Sequence, residues 1–207
     1  MTRMIVIKLT SRNTEATIKQ TVAALIAGKT VVYPTETFYG LGCAAGKRET
    51  IKKIYRIKGR GKNKALPFLL ADMRMARKYL KFNQAARKLA KKYWPGPLSL
   101  VLPVTAAGKK LFAAADAGVR ISSYQFATRL VKVLGQPLVS TSANPSSQPS
   151  ASSASAVIKY FNHRRYKPDL IIDAGRLPKS KGSTFVSLTG REPKILRQGD
   201  VEVTFNF

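Results

Sequence analysis

Lys58 and Arg60 stand two residues apart in KGRGKNK, residues 58–64, with Gly59 between them and Gly61 after. Two cations on a loop whose glycines allow close backbone approach suit a phosphate or a carboxylate, and Lys62 adds a third. The spacing is not that of a G-x-x-x-x-G-K-[ST] P-loop, and a solvated basic loop explains it as well. A second set of residues sits where apolar runs turn polar: Thr35 in VVYPTET, Arg120 in GVRISS, and Ser140, Ser142 and Asn144 in PLVSTSAN. Ligands of open α/β sheets bind at the carboxyl ends of strands. Any one of these endings is also explained by turn formation or helix capping. Three of them together with a basic loop favour one concave site on which these residues converge. Ser183 in RLPKSKGSTF and Arg197 in ILRQG carry the same two readings.

Other chemistries are excluded or weakened. Cys43 is the only cysteine and His163 the only histidine. No internal disulfide, multi-cysteine zinc site or H-E-x-x-H metalloprotease motif can be assembled, and a Ser–His–Asp triad has little support. Cys43 reads as a small buried residue. The 37 Lys+Arg against 10 Asp+Glu give a net charge of +27, which attracts polyanions at long range. Because the basic residues are spread along the chain, a nucleic-acid surface and a compositional bias explain the excess equally well. HRRYK (163–167) reads as a solvated helix end or an RNA-phosphate contact. No stretch has the length of a membrane span and the N-terminus has no signal-peptide core, so a cytoplasmic protein is expected.

These residues need positioning elements, and the 207 residues, 44% of them apolar, suit one α/β domain. MIVIKL (4–9) predicts a strand, residues 13–27 a helix ending at Gly28, and residues 30–33 a buried strand. Residues 48–58 form a helix with Ile51, Ile54 and Tyr55 inward. PFLLA (67–71) predicts a strand, followed by two short helices up to WPGP (94–97), a structural turn packed by Trp94. SLVLPV (99–104), AGVRIS (117–122) and PLVSTS (137–142) predict strands, with a helix from Tyr124 to Leu134 before the last. PSSQPSASSASA (145–156) reads as a long surface loop feeding a helix, and DLIIDAG, STFVSL and KILRQG as closing strands. The expected fold class is α/β: an open, twisted, mixed sheet flanked by helices, spanning 1–207 as a single domain.

In order along the chain, YPTETFYGLG, IYRIKGR, WPGPLSLVL, GVRIS, PLVSTSAN, DLIIDAG, GSTFVSL and ILRQG closely resemble the YrdC/TsaC family of threonylcarbamoyl-AMP synthases. The resemblance covers roughly residues 15 to 200. It implies a basic concave face and a reaction in which N-carboxylated threonine, formed from L-threonine and bicarbonate or CO2, attacks the α-phosphorus of ATP and releases diphosphate. Magnesium is expected with the nucleotide. A partner threonylcarbamoyl-transferase complex then modifies tRNA, and the basic face implies contact with tRNA or double-stranded RNA. Position by position, the resemblance assigns catalysis to Lys58, Arg60, Ser142 and Asn144. It assigns ATP binding to Lys58, Lys62, Ser142, Asn144, Ser150 and Arg197, and threonine binding to Thr35, Arg120, Ser140 and Ser183, with no metal held by protein ligands. Arg120 is to pair with the substrate carboxylate, Glu36 is to aid a magnesium ion or only to brace its turn, with bracing favoured, and Lys58 is given no part in the core.

Several positions depart from the family pattern. Gly61 replaces a proline after KxR, Leu69 a histidine, Ser122 a proline, Ser147 a glycine, and DAG stands for DGG. The chain reads as the short form, needing partner proteins for the tRNA step. Two other readings stay open: a non-catalytic, RNA-binding relative, and carbamoyl transfer like that of the related domain in hydrogenase maturation proteins. Against the second, zinc-finger cysteines are missing.

Overall fold

The computed structural model describes residues 4–61 and 65–205. Among these, the strands are β1 (Ile5–Lys8), β2 (Val31–Tyr33), β3 (Gly40–Gly42), β4 (Phe68–Leu69), β5 (Leu98–Pro103), β6 (Asp116–Arg120), β7 (Leu138–Val139), β8 (Thr141–Ser142), β9 (Leu170–Asp173), β10 (Thr184–Ser187) and β11 (Lys194–Arg197). The helices are α1 (Thr14–Ile26), α2 (Arg48–Lys58), α3 (Met73–Tyr79), α4 (Gln84–Tyr93), α5 (Ala106–Phe112), α6 (Gln125–Leu134) and α7 (Ala154–Phe161). The mixed α/β class expected from the sequence is what is found. The strands divide between two sheets, ordered β1-β9-β2-β3-β8 and β11-β10-β5-β6-β4-β7, each with parallel and antiparallel neighbours.

Successive strand residues face opposite sides of a sheet, and here both sides are covered. Val31 and Tyr33 of β2, with Leu170 and Ile172 of β9, pack into a cluster with Ile18 and Leu25 of α1 and Leu130 of α6. Val32 and Ile171, pointing the other way, join a larger cluster with Leu98, Leu100, Val119 and Val186 of the six-stranded sheet. A strand buried on both faces must be apolar throughout rather than alternating, which is why VVY and LII read as unbroken runs.

The segment PLVSTS does not form one strand. Leu138 and Val139 pair with β4 in the six-stranded sheet, whereas Thr141 and Ser142 pair with β3 in the five-stranded one. Ser140 is the residue at which the chain changes sheets. Gly42 permits this crossing, since a Cβ built there would lie 2.0 Å from the Val139 carbonyl oxygen. Tyr39 N and Val139 N tie the neighbourhood together through Ala151 O and Cys43 O, both at 2.9 Å.

Helix α2 presents the basic loop. It ends at Gly59, whose φ of 60° is left-handed, a conformation that glycine adopts without steric cost. Its position is set by Thr50 Oγ1 donating to Gly28 O at 2.9 Å and by Lys53 Nζ bonding both oxygens of Asp169 at 2.7 Å. Thr30 N and Oγ1 also donate to that carboxylate. At WPGP the Trp94–Pro95 peptide is cis, and Trp94 Nε1 donates to Leu98 O at 2.7 Å. The sequence reading omitted α5, which begins at the N-cap Thr105, whose side chain accepts from Gly108 N.

Candidate active site

The ends of β2, β6, β7 and β8 and the start of β10 open onto one cavity of about 320 Å³. Thr35, Arg120, Ser140 and Ser183, expected at one ligand, all line it. So do Arg60, Ser142, Ser150 and Arg197, expected at the other. Lys58 and Asn144 do not; they stand behind the wall that Ser142 belongs to. Lys62 lies outside the described residues. Thr37, Tyr39, Ser99 and Phe185 also line the cavity without having been singled out. Ser99 is a buried hydroxyl in an apolar strand, 3.1 Å from Ser183 Oγ, and that lone polar letter was the available signal.

Thr35 is 1% exposed. Its Oγ1 donates to Phe38 O at 2.6 Å and accepts from Thr37 N and Phe38 N at 3.3 Å. The hydroxyl thus folds the PTETF turn onto itself while facing the cavity. Glu36 turns the other way. Its Oε1 accepts from Arg120 Nη1 at 2.6 Å and its Oε2 from Ser122 Oγ. Both carboxylate oxygens are held by residues at and just beyond the end of β6 rather than by its own turn, which Thr35 braces instead.

Lys58 corrects one expectation. It is 3% exposed, and its Nζ donates to Ser142 O at 2.6 Å, Asn144 O at 2.9 Å and Asn144 Oδ1 at 3.4 Å. It therefore has a structural role in the core, holding the serine–asparagine loop in place. A buried ammonium remains tolerable when its protons meet acceptors. Burial, reinforced by the Arg60 charge, nevertheless pulls it down from 10.5 to about 8. Asn144 Nδ2 donates to Pro145 O at 3.1 Å and to Gln148 O, so its amide organises the start of the 145–156 loop.

Arg60 reaches Ala65 O at 3.1 Å, and its buried Nε finds no partner among the described residues. An unsatisfied buried donor is costly, and this one belongs to a cavity-lining guanidinium. Arg197 is bonded to the residue expected at threonine. Its Nε and Nη2 donate to Ser183 O at 3.1 and 2.6 Å, and its guanidinium lies 4.7 Å from the Phe185 ring centroid. Burial and the neighbouring Arg120 both lower its pKa from the ordinary arginine value. Among the described residues the cavity is thus walled by three guanidinium groups and several hydroxyls, with no carboxylate on its lining. Such a site can hold two anions against each other and neutralise their charge.

The Sua5/YciO/YrdC family model, described as telomere recombination, matches residues 23–199. The threonylcarbamoyl-AMP synthase of Pyrococcus abyssi is 33% identical over 94% of this chain and 57% of its own length. The crystal structure of P. abyssi Sua5 in complex with L-threonine superposes with a TM-score of 0.84 at 32% identity, covering 96% of this chain and 58% of that one. Escherichia coli YciO superposes with a TM-score of 0.83 at 26% identity, covering 98% of both chains. The chain spans a little over half the length of its P. abyssi relative. With the family model matching most of the sequence and the fold shared along nearly its whole length, the chain belongs to the Sua5/YciO/YrdC family.

Proposed function

We propose that this chain is a threonylcarbamoyl-AMP synthase, joining L-threonine, bicarbonate or CO2, and ATP into threonylcarbamoyl-AMP with release of diphosphate. The observation that carries this reading is the gathering of Thr35, Arg60, Arg120, Ser140, Ser142, Ser150, Ser183 and Arg197 around one cavity. The naming of its relatives and the threonine complex of one of them support the choice of substrate. Threonine's carboxylate is assigned to Arg120 with Thr35, Ser140 and Ser183, and the nucleotide to Ser142, Ser150 and Arg197. Arg60 faces the phosphates, with Lys58 behind it and Lys62 further along the loop. The carbamate oxygen attacks the α-phosphorus and diphosphate leaves. The attack itself needs no histidine base, because the carbamate is already ionised. The protons lost when threonine's amine is carboxylated pass to solvent, water also leaves where bicarbonate is the carbon source, and the remaining task is positioning and charge neutralisation.

Magnesium is expected to arrive on the nucleotide, since it is commonly held by phosphates and water with few protein carboxylates. The described residues include no group of three or more His, Cys, Asp or Glu placed to hold a metal, and both oxygens of Glu36 are engaged. The described residues therefore do not form a metal cage, and no step is assigned to the ion. Among the described residues no helix is long and apolar enough to cross a membrane. The proposal extends to a single domain over 1–207, a cytoplasmic location, a basic concave face meeting tRNA, and partner proteins for transfer of the threonylcarbamoyl group to tRNA.

The test is incubation with threonine, bicarbonate, ATP and magnesium. Threonine-dependent diphosphate release supports the synthase. Tight RNA binding without turnover would instead support the non-catalytic relative, to which the net charge of +27 also points.

Lys58 adds a pH dependence. Its ammonium is charged below about 8 and loses its proton above. The neutral amine has one donor fewer for the Ser142–Asn144 segment and no charge beside Arg60, so ATP affinity should fall above that point. Stability runs the opposite way. The unfolded chain keeps this proton up to 10.5 while the folded one releases it near 8. Over that window the unfolded state binds more protons, and this group's contribution to stability rises with pH. Calorimetric titration with ATP from pH 7 to 9.5, beside thermal melts in the same buffers, measures both trends.

A further inference from the structure

Glu36 and Arg120 are 84 residues apart in sequence, and their side chains are 15% and 10% exposed. The contact runs from the turn after β2, in the five-stranded sheet, to the last residue of β6, in the six-stranded one. Ser122 Oγ fixes the second carboxylate oxygen, so Glu36 cannot swing away from Arg120 without breaking two bonds.

This makes the cavity electrostatically uneven. Arg120 has a carboxylate directly behind it, whereas Arg60 has no acidic partner among the described residues and stands close enough to Lys58 to lower its pKa. In a site of low dielectric such a difference is felt strongly by a multiply charged ligand and weakly by a singly charged one. A guanidinium has five N–H donors. With one Nη1 bond to Glu36 and a long contact to Thr37 Oγ1 at 3.5 Å, donors remain for a single carboxylate from the cavity side.

Resting on the synthase reading, we infer that Glu36 is a positioning residue that sorts the two substrates: by neutralising Arg120 and fixing its guanidinium, it keeps that end for the amino-acid carboxylate and directs the polyphosphate to Arg60. Ser122 supports it by holding the carboxylate. Without the Glu36 charge, Arg120 would be an uncompensated cation beside Arg197 and would take up inorganic anions and phosphate tails in place of threonine.

Glu36→Gln preserves shape and removes the charge. At saturating ATP the apparent KM for threonine should rise about tenfold, because phosphate tails now compete with threonine's carboxylate at Arg120, with no rise in the KM for ATP. Sulfate should become a competitive inhibitor against threonine at a concentration about tenfold lower than for the wild type. Ser122→Ala leaves the charge but frees the carboxylate, and should raise the threonine KM about threefold without changing sulfate inhibition. A merely structural role would lower stability and would not create anion competition. A folded Glu36→Gln variant with unchanged sulfate inhibition, or with both KM values moving together, overturns the inference. If that variant does not fold, an unchanged threonine KM in Ser122→Ala overturns it instead, and the threefold rise supports it. A wild type without threonine-dependent diphosphate release refutes the reaction itself, which separates the two failures.

Discussion

Lys58→Ala should cut threonine-dependent diphosphate release by about a hundredfold or more, because it removes both a positive charge close to Arg60 and the donor that holds cavity-lining Ser142 in place. It should also melt earlier than the wild type. The side chain is buried and bonded to Ser142 O, Asn144 O and Asn144 Oδ1, and its removal strips those acceptors of their donor. Unmade bonds of this kind cost about 2 kcal/mol, equivalent to about 4–8 °C in a chain of this size. Lys58→Gln separates the two effects. It retains a donor, so it should recover part of the lost stability while remaining inactive. A Lys58→Ala protein with wild-type turnover would remove Lys58 from the mechanism.

Gly42→Ala should be the most damaging single methyl group near the site. The added Cβ would lie 2.0 Å from the Val139 carbonyl oxygen and 3.1 Å from Tyr33 Cε1. The first obstacle is backbone, which cannot rotate aside like a side chain. Overpacking of this kind costs about 3 kcal/mol, and relief requires β3 and β7 to move apart. Val139 immediately precedes Ser140, so the displacement reaches the cavity wall directly. Chemical denaturation should show the loss of stability, and the KM for threonine should rise although no ligand-facing atom has been changed. A Gly42→Ala protein as stable as the wild type would mean that the two strands yield easily.

Local signals accounted for much of this architecture. Helix α2 ends where Gly59 permits a left-handed turn, and the buried strands around Val32 and Ile171 carry the unbroken apolar runs that double-sided burial demands. The cavity was legible as a set of residue types at strand ends. Its internal wiring was not, because each bond depends on a partner far away in sequence. Glu36 meets Arg120 across 84 residues and Lys58 meets Ser142 across the same separation. A lysine closing a basic helix reads as solvated or ligand-facing, and only the packing of the 142–146 segment reveals that it is enclosed. The change of sheet at Ser140 was equally hidden, since LVSTS looks like one continuous strand. Glycines disfavour strands, which concealed β3 although the Tyr33 ring against Gly40 and Gly42 and the Val139 carbonyl against Gly42 explain both there.

The cavity wall is contributed by both sheets, with Thr35 and Ser142 on one side and Arg120, Ser183 and Arg197 on the other. A molecule lodged there works as a rivet through two plates. Its affinity is added to the work needed to part them, so amide hydrogens in β2 and in β6 should slow their exchange with solvent together when ligand is added, rather than only those nearest to it.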